Sequence, residues 1–310
     1  MNESIEIIGT ESLGVRGLSC FITTKNRKIL IDPGVALGYI RHALLPHPIQ
    51  VAAGERVRRR IIENLVEATD VVFSHFHGDH IPFKEANCYQ LALQDLPENV
   101  QKLRCWSKSI DSPPGKIERR GQDLQFFFGK NFHVAESLTD GPLTFSQAVP
   151  HGVEKSKQGR VMMTRIDLGH SVFVHGSDIQ LLDPDTIDCI IGWQADVILA
   201  AGPPLYLEKL SGELRQIAWR NALHLAKNSK MLILDHHLMR DQQGPQWLEA
   251  LSAKTGKHIY CAADFMGKKP QLLEADRTQL YETFPVRPHW HEEYERGRAY
   301  TNSYLAEDVE

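Results

Sequence analysis

Ten consecutive residues, Val71 to His80 (VVFSHFHGDH), limit what this chain can become more than any other stretch. An apolar run leads directly into His75, His77, Asp79 and His80, four metal-binding side chains within six positions. Fifteen histidines in a chain of 310 residues would not scatter so densely by chance. Val71, Val72 and Phe73 read as a strand buried on both faces, and Gly78 lets the next turn bend so that flanking side chains converge. In extended backbone His75 and His77 share a face, while Asp79 and His80 lie beyond the turn and reach a second point nearby. The spacing suits two metal ions better than one. Packing alone would crowd imidazoles and a carboxylate together without a cation, which is costly.

His-x-His-x-Asp-His after a hydrophobic strand resembles the signature of the metallo-β-lactamase superfamily. Lys28 to Gly34 (KILIDPG) resembles that superfamily's first motif, and IDPGVALG, SHFHGDH, GPPLYL and LDHHLMRD together resemble an uncharacterised branch of predicted metal-dependent hydrolases. The resemblance runs from about Ile5 to Ala262. It implies an α/β fold, a four-layer αββα sandwich formed by residues 1–310 as a single domain, with a polar C-terminal extension from about residue 264. It also implies a ligand set: His75, His77 and His151 on one metal, Asp79, His80 and His236 on the other, with Asp178 bridging. Asp32 would orient the metal-bearing loop, although Asp32-Pro33-Gly34 is also a turn signal in its own right. Asp79 would in addition orient the nucleophile. Two divalent metal ions are implied; zinc suits these ligands, as do iron and manganese.

The residues place these side chains at strand ends. The strand Leu143 to Val149 delivers His151, and Ser171 to His175 leads to Asp178, whose two oxygens suit a bridge. Met231 to Leu234 precedes Asp235, His236 and His237. Strand alternation favours His236 as the ligand and turns His237 away or into a supporting role.

Elsewhere the pattern predicts helices over Glu55 to Thr69, Lys84 to Gln94, Thr186 to Gln194, Leu207 to Leu225 and Pro245 to Thr255, with another near Leu272 to Tyr281. Gly115 to Leu138 reads as strand-rich and His258 to Ala262 as a strand. The basic run Arg56, Arg58, Arg59 and Arg60 reads as a solvated helix face, with Glu55 paired to Arg59 and Arg60 to Glu63. His47 reads as a surface residue, His170 and His175 as packing or supporting groups, and His289 and His291 as part of a solvated or partner-facing tail.

A net charge of -4 argues against a protein that coats nucleic acid, while leaving room for a local basic pocket. Five widely spaced cysteines without a C-x-x-C motif fit a reducing cytoplasm. The most apolar long stretch, Ile187 to Ala201, is broken by Asp188, Gln194 and Asp196, so no membrane span is expected.

The implied activity is metal-dependent hydrolysis of a small, anionic substrate: an ester, thioester, lactam or phosphoester. Lys155, Lys157 and Arg160, on the loop after His151, are candidates for holding its charge. A nuclease-like phosphodiesterase and a non-haem iron redox enzyme are the alternatives on the same scaffold. His77 stands where the superfamily's diiron redox branch carries glutamate, which favours hydrolysis. A metal-free scaffold is disfavoured because every ligand-bearing motif is filled. Nucleic-acid binding and self-association stay open.

Overall fold

Twelve short strands form two six-stranded sheets, and the reason is visible in their burial. The computed structural model of the chain describes residues 3–154 and 159–304. Strands β1 (Ser4–Gly9), β2 (Ser19–Thr23), β3 (Lys28–Ile31), β4 (Asp70–Phe73), β5 (Arg104–Ser107) and β6 (Phe132–Val134) lie in that order in the first sheet. The second contains β7 (Thr139–Asp140), β8 (Leu143–Pro150), β9 (Arg160–Asp167), β10 (Val172–His175), β11 (Val197–Ala200) and β12 (Met231–Leu234). Its strands are again ordered as in the chain. In each sheet the early strands pair antiparallel and the later ones parallel.

Parallel pairing needs crossovers, and these are supplied by α1 (Pro48–Glu67) and α2 (Lys116–Phe128) in the first half, and by α3 (Pro184–Gly192) and α4 (Gly212–Lys227) in the second. Helices α5 (Gly244–Thr255), α6 (Ala262–Phe265), α7 (Arg277–Thr283) and α8 (Trp290–Glu295) follow.

Alternation along the strands sorts the apolar side chains into three clusters. Ile7, Ile22, Ile29, Ile31 and Val72 of the first sheet pack in one cluster with Phe145, Met162, Phe173, Leu199 and Ile233 of the second. Leu30, Val71 and Phe73 turn the other way, to Val57, Ile61 and Leu65 of α1. In the second half Val174, Ile198 and Leu232 meet Ala218, Ala222 and Leu225 of α4. Burying each large aliphatic side chain stabilises the fold by about 1.5–3 kcal/mol.

Helix ends follow their sequence signals. Ser211 caps α4 by accepting from Leu214 N, and Asn228 closes it. Pro245 opens α5 and Gly256 ends it in the left-handed conformation at φ 67°.

Other expectations are corrected. Helix α1 starts at Pro48 rather than Glu55, because His47 is its cap: Ile49 N donates to His47 Nδ1 at 3.2 Å, and the ring is buried rather than on the surface. The stretch Lys84 to Gln94 is not helical; Phe83 N and Leu93 N tie it to neighbouring carbonyls as a loop. Gly115 to Leu138 is mostly helix α2, not strand, because Gly121, Leu124 and Phe128 make one buried helical stripe that consecutive aromatic residues obscure. His258 to Ala262 contributes only a single bridge, Ile233 to Tyr260. Of the two pairs expected along the basic run of α1, Arg60 with Glu63 forms and Glu55 with Arg59 does not. Arg60 meets Glu63 at 3.2 Å and also Glu6, while Glu55 accepts from Tyr294 and Thr301 rather than Arg59.

The tail differs most. His289 is exposed, yet Glu274, Arg277 and Trp290 are buried, and Trp290 stacks on Tyr294 at 5.0 Å. His291 lies between two phenols, 2.8 Å from Tyr89 Oη and 2.9 Å from Tyr281 Oη, and burial followed by repulsion from His47 lowers its pKa to about 4. The unfolded chain therefore binds a proton at His291 that the folded chain refuses between its ordinary 6.5 and about 4. Stability is expected to fall as pH drops through that window, and His291→Phe should flatten the slope. Denaturant midpoints measured across the window test this; an unchanged slope in the variant would refute it.

No helix among the described residues is long and apolar enough to cross a membrane. All five cysteines are unpaired.

Candidate metal centre

The two sheets present their site residues at the carboxyl ends of β4, β8, β10 and β12, where the strands hand over to loops. His75, His77, Asp79 and His80 follow β4, His151 follows β8, Asp178 follows β10, and His236 and His237 follow β12. All seven residues expected as ligands converge. His75, His77, His151 and Asp178 form one group whose ligand atoms lie within 4.8 Å of each other, and Asp79, His80 and His236 form another.

Asp178 is the hub. Its Oδ1 lies 3.0 Å from His80 Nε2. Its Oδ2 lies 3.1 Å from His151 Nε2, 3.5 Å from His75 Nε2 and from His237 Nε2, and 3.6 Å from His236 Nε2. Asp79 meets His236 Nε2 at 3.4 Å.

A second layer of contacts sets which ring nitrogen faces inward. Asp32 is fully buried at φ 47° and accepts from Ser74 N at 2.8 Å, from Ser74 Oγ at 2.6 Å and from His80 Nδ1 at 2.8 Å. Ser74 Oγ has given its proton to Asp32, so it accepts from His75 Nδ1 at 2.9 Å. His75 therefore turns a bare Nε2 toward Asp178, while His80 is held between the Asp32 and Asp178 carboxylates. His151 Nδ1 lies 3.3 Å from the Gln180 amide.

Divalent ions fit this donor set on the structure's own terms. His75 Nε2, His80 Nε2, His237 Nδ1 and Asp178 Oδ1 are buried without any hydrogen-bond partner among the described residues. Orphaned acceptors of that kind each cost about 1–3 kcal/mol unless something engages them. The charge states of His75, His77 and Asp178 suit a cation as well, whereas at His80 burial is outweighed by the Asp178 and Asp32 carboxylates, which raise the pKa well above its ordinary value. Burial lowers His75 to about 4, and burial with the nearby His75 and His151 rings lowers His77 to about 2, so both are neutral lone-pair donors at pH 7. Burial opposes ionisation of Asp178, but His80, His236 and His237 outweigh it and hold the carboxyl well below its ordinary range.

His237 departs from the expected alternation. It faces the cluster, 4.6 Å from the His236 ring and 5.1 Å from the His151 ring. The cause is local: β12 ends at Leu234, and His236 has φ 22°, so the strand rule no longer applies where the two histidines sit. Asp178, His236 and His237 form a further possible ligand group.

Of the remaining histidines, His175 is buried and bonded to Leu18 O at 2.9 Å, whereas His170 is an exposed partner of Glu3. Lys155 and Lys157 lie outside the described residues. Arg160 is spent on Glu154 at 2.9 Å and on Ala148 O.

Sequence reasoning passed over a buried arginine. Arg240 donates to Glu11 Oε1 at 2.7 Å, and its Nη2 lies 3.1 and 3.2 Å from the His236 ring nitrogens. The pairing with Glu11 offsets its charge beside the Asp79, His80 and His236 donors. Its signal was its position in LDHHLMRD, four residues after His236. Beside the metal-binding turn, Phe83 closes on Gly78, and a cleft of about 600 Å³ is lined by Phe83, Lys84, Lys116, Arg119 and Arg120 together with Glu85 and Asp123.

No family profile matches the chain. Among solved structures it is similar to a metal-dependent hydrolase of the β-lactamase superfamily, at 13% identity and a TM-score of 0.48, over 80% of this chain and 93% of that one. A UPF0282 protein of Thermococcus gammatolerans is 35% identical over 88% of this chain and 93% of its own length. A UPF0282 protein of Methanosarcina mazei is 46% identical over 97% of this chain and 99% of its own length. With identity at that level across nearly the whole length of both chains, this protein belongs to the UPF0282 family.

Proposed function

We propose that the protein is a metal-dependent hydrolase with a dinuclear centre on a four-layer αββα sandwich. The observation that carries this reading is the convergence of seven imidazole and carboxylate donors, Asp178 at their hub, with His75 Nε2 and Asp178 Oδ1 buried and unpartnered among the described residues. His75, His77 and His151 would hold one ion, Asp79, His80 and His236 the other, and Asp178 both. Zinc suits this mixed donor set. Bound divalent cations lower the pKa of water to about 7 and polarise the bond to be cleaved.

The chain's own residues do the rest. Asp32 and Ser74 hold His80 and His75 in the tautomers that present Nε2. Asp79 is the most exposed carboxylate of the cluster and stands where it can orient an attacking water. The cleft that Phe83 separates from Gly78, with four cationic side chains against two carboxylates, supports an anionic substrate, a role for which Lys155 and Lys157 are further candidates.

Protein purified without added metal, then titrated with zinc, is expected to hold two ions per chain by elemental analysis. Saturation at one ion would contradict the dinuclear centre. His77→Ala should lose metal together with activity on a panel of ester, thioester and phosphodiester substrates; full activity in that variant would remove His77 from the ligand set. His236→Ala should lose the second ion while His237→Ala keeps it. The reverse result would identify His237 as the ligand.

A further inference from the structure

Four guanidinium groups gather on the His236 side of the metal centre, those of Arg16, Arg41, Arg240 and Arg277, against the carboxylates of Glu11, Glu274 and, 3.8 Å from Arg240 Nη2, Asp79. Arg16 donates through both Nε and Nη2 to Glu274, and Arg240 is paired with Glu11. Arg277 is fully buried and directs its donors to Gly38 O at 2.7 Å, Leu44 O at 3.0 Å and Gln50 Oε1 at 2.9 Å.

Arg41 is left over. Its nearest carboxylate oxygen, on Glu274, is 3.8 Å away, and its Nε is buried without a hydrogen-bond partner among the described residues. Its hydrogen bond from Nη2 goes to Arg240 O at 3.3 Å. The guanidinium lies 5.1 Å over the ring of Tyr206, which Arg240 approaches at 5.4 Å. Tyr206 Oη accepts from Arg240 Nη1 at 3.3 Å, which leaves the phenolic proton free to donate elsewhere. About a fifth of the Arg41 side chain is open to solvent, at 19%.

A largely buried excess of positive charge is costly unless an anion compensates it. We propose that Arg41, Arg240 and Tyr206 bind a phosphate group carried by the substrate, at a point separate from the bond that is cleaved. This rests on the hydrolase reading only for calling the ligand a substrate. A phosphate monoester brings negative charge and three acceptor oxygens, which meet the charge excess and the donors left free on Arg41 and Tyr206. Guanidinium groups recognise phosphate in this forked way. Arg240 links this cluster to His236, whose ring nitrogens its Nη2 approaches at 3.1 and 3.2 Å, so a phosphate held here keeps the rest of the molecule beside the metal ligands.

The C-terminal extension builds the pocket. Arg41 sits in a hairpin closed by its own backbone bonds to Leu44 at 2.9 and 3.0 Å. Arg277, from α7, fastens that hairpin by its carbonyls at Gly38 and Leu44. Arg277 is thus a positioning residue, and Glu274 holds Arg16 and faces Arg41.

Calorimetry with inorganic phosphate and with glycerol 3-phosphate, on chelator-treated and on zinc-loaded protein, tests the assignment. Both probes are expected to bind the chelator-treated protein, the ester at least as tightly as free phosphate. Arg41→Gln should weaken both at least about tenfold with no change in melting temperature, since Arg41 lies on a partly exposed hairpin. Tyr206→Phe should weaken them less. Phosphate binding that vanishes with the metal and ignores Arg41→Gln would place the anion on the metals and overturn the proposal, while leaving the hydrolase reading intact. Phosphate binding without ester binding would make this a closed ion site and overturn the substrate assignment. Arg41-dependent binding of both probes in a protein that holds no zinc would uphold the pocket and remove the hydrolase.

Discussion

Asp178→Asn is expected to strip the protein of metal, with a loss of affinity larger than the roughly 10–100-fold typical when a supporting partner behind a ligand is removed. The substitution keeps the shape of the side chain and removes its charge. Asp178 alone places its two oxygens against five imidazoles, from 3.0 Å at His80 to 3.6 Å at His236. An amide offers one acceptor where the carboxylate offers two, so a bridge is lost along with the charge that attracts both cations. Asp32→Asn provides the comparison. Asp32 reaches the centre only through Ser74 and His80, so its loss should remain within that 10–100-fold range. Zinc titration followed by calorimetry ranks the two variants. An Asp178→Asn protein that still binds two equivalents as tightly as the parent would disprove the bridging role, and a larger loss for Asp32→Asn would exchange the two assignments.

Gly34→Ala is expected to destabilise the protein by at least about 3 kcal/mol, the upper end of ordinary overpacking. A Cβ at Gly34 would lie 2.1 Å from Ile81 N and 2.2 Å from the carbonyl carbon of His80. Both are backbone atoms, so no side-chain rotation relieves the overlap. The loop that carries Asp79 and His80 must shift, and zinc affinity should fall with stability. Gly54→Ala serves as the contrast, because its Cβ would meet Leu37 at an ordinary 3.6 Å inside helix α1. There alanine should be neutral or stabilising by up to about 1 kcal/mol, from helix propensity. Chemical denaturation measures both. If Gly34→Ala unfolds at the parent's midpoint, the close approach of the two loops does not constrain the site.

What could be read in the residues was what local chemistry dictates. VVFSHFHGDH announced a buried strand ending in side chains that could bind metal, since an apolar run leading straight into a dense histidine cluster has few other uses. Strands β8, β10 and β12 were legible for the same reason, and they carried His151, Asp178 and His236 to recognisable ends. Only the tertiary structure decided the rest. His237 turns inward because a positive φ at His236 breaks the alternation that strand logic assumes. Helix α2 was hidden because its buried stripe of Gly121, Leu124 and Phe128 is interrupted by exposed Phe126. The polar extension reads as solvated, yet Glu274 and Arg277 are buried, since their partners Arg16, Gly38 and Leu44 lie more than 200 residues away in the chain. Sequence reports a side chain's chemistry and its local period; whether a charge is solvated or paired in the interior depends on distant segments that only folding brings beside it.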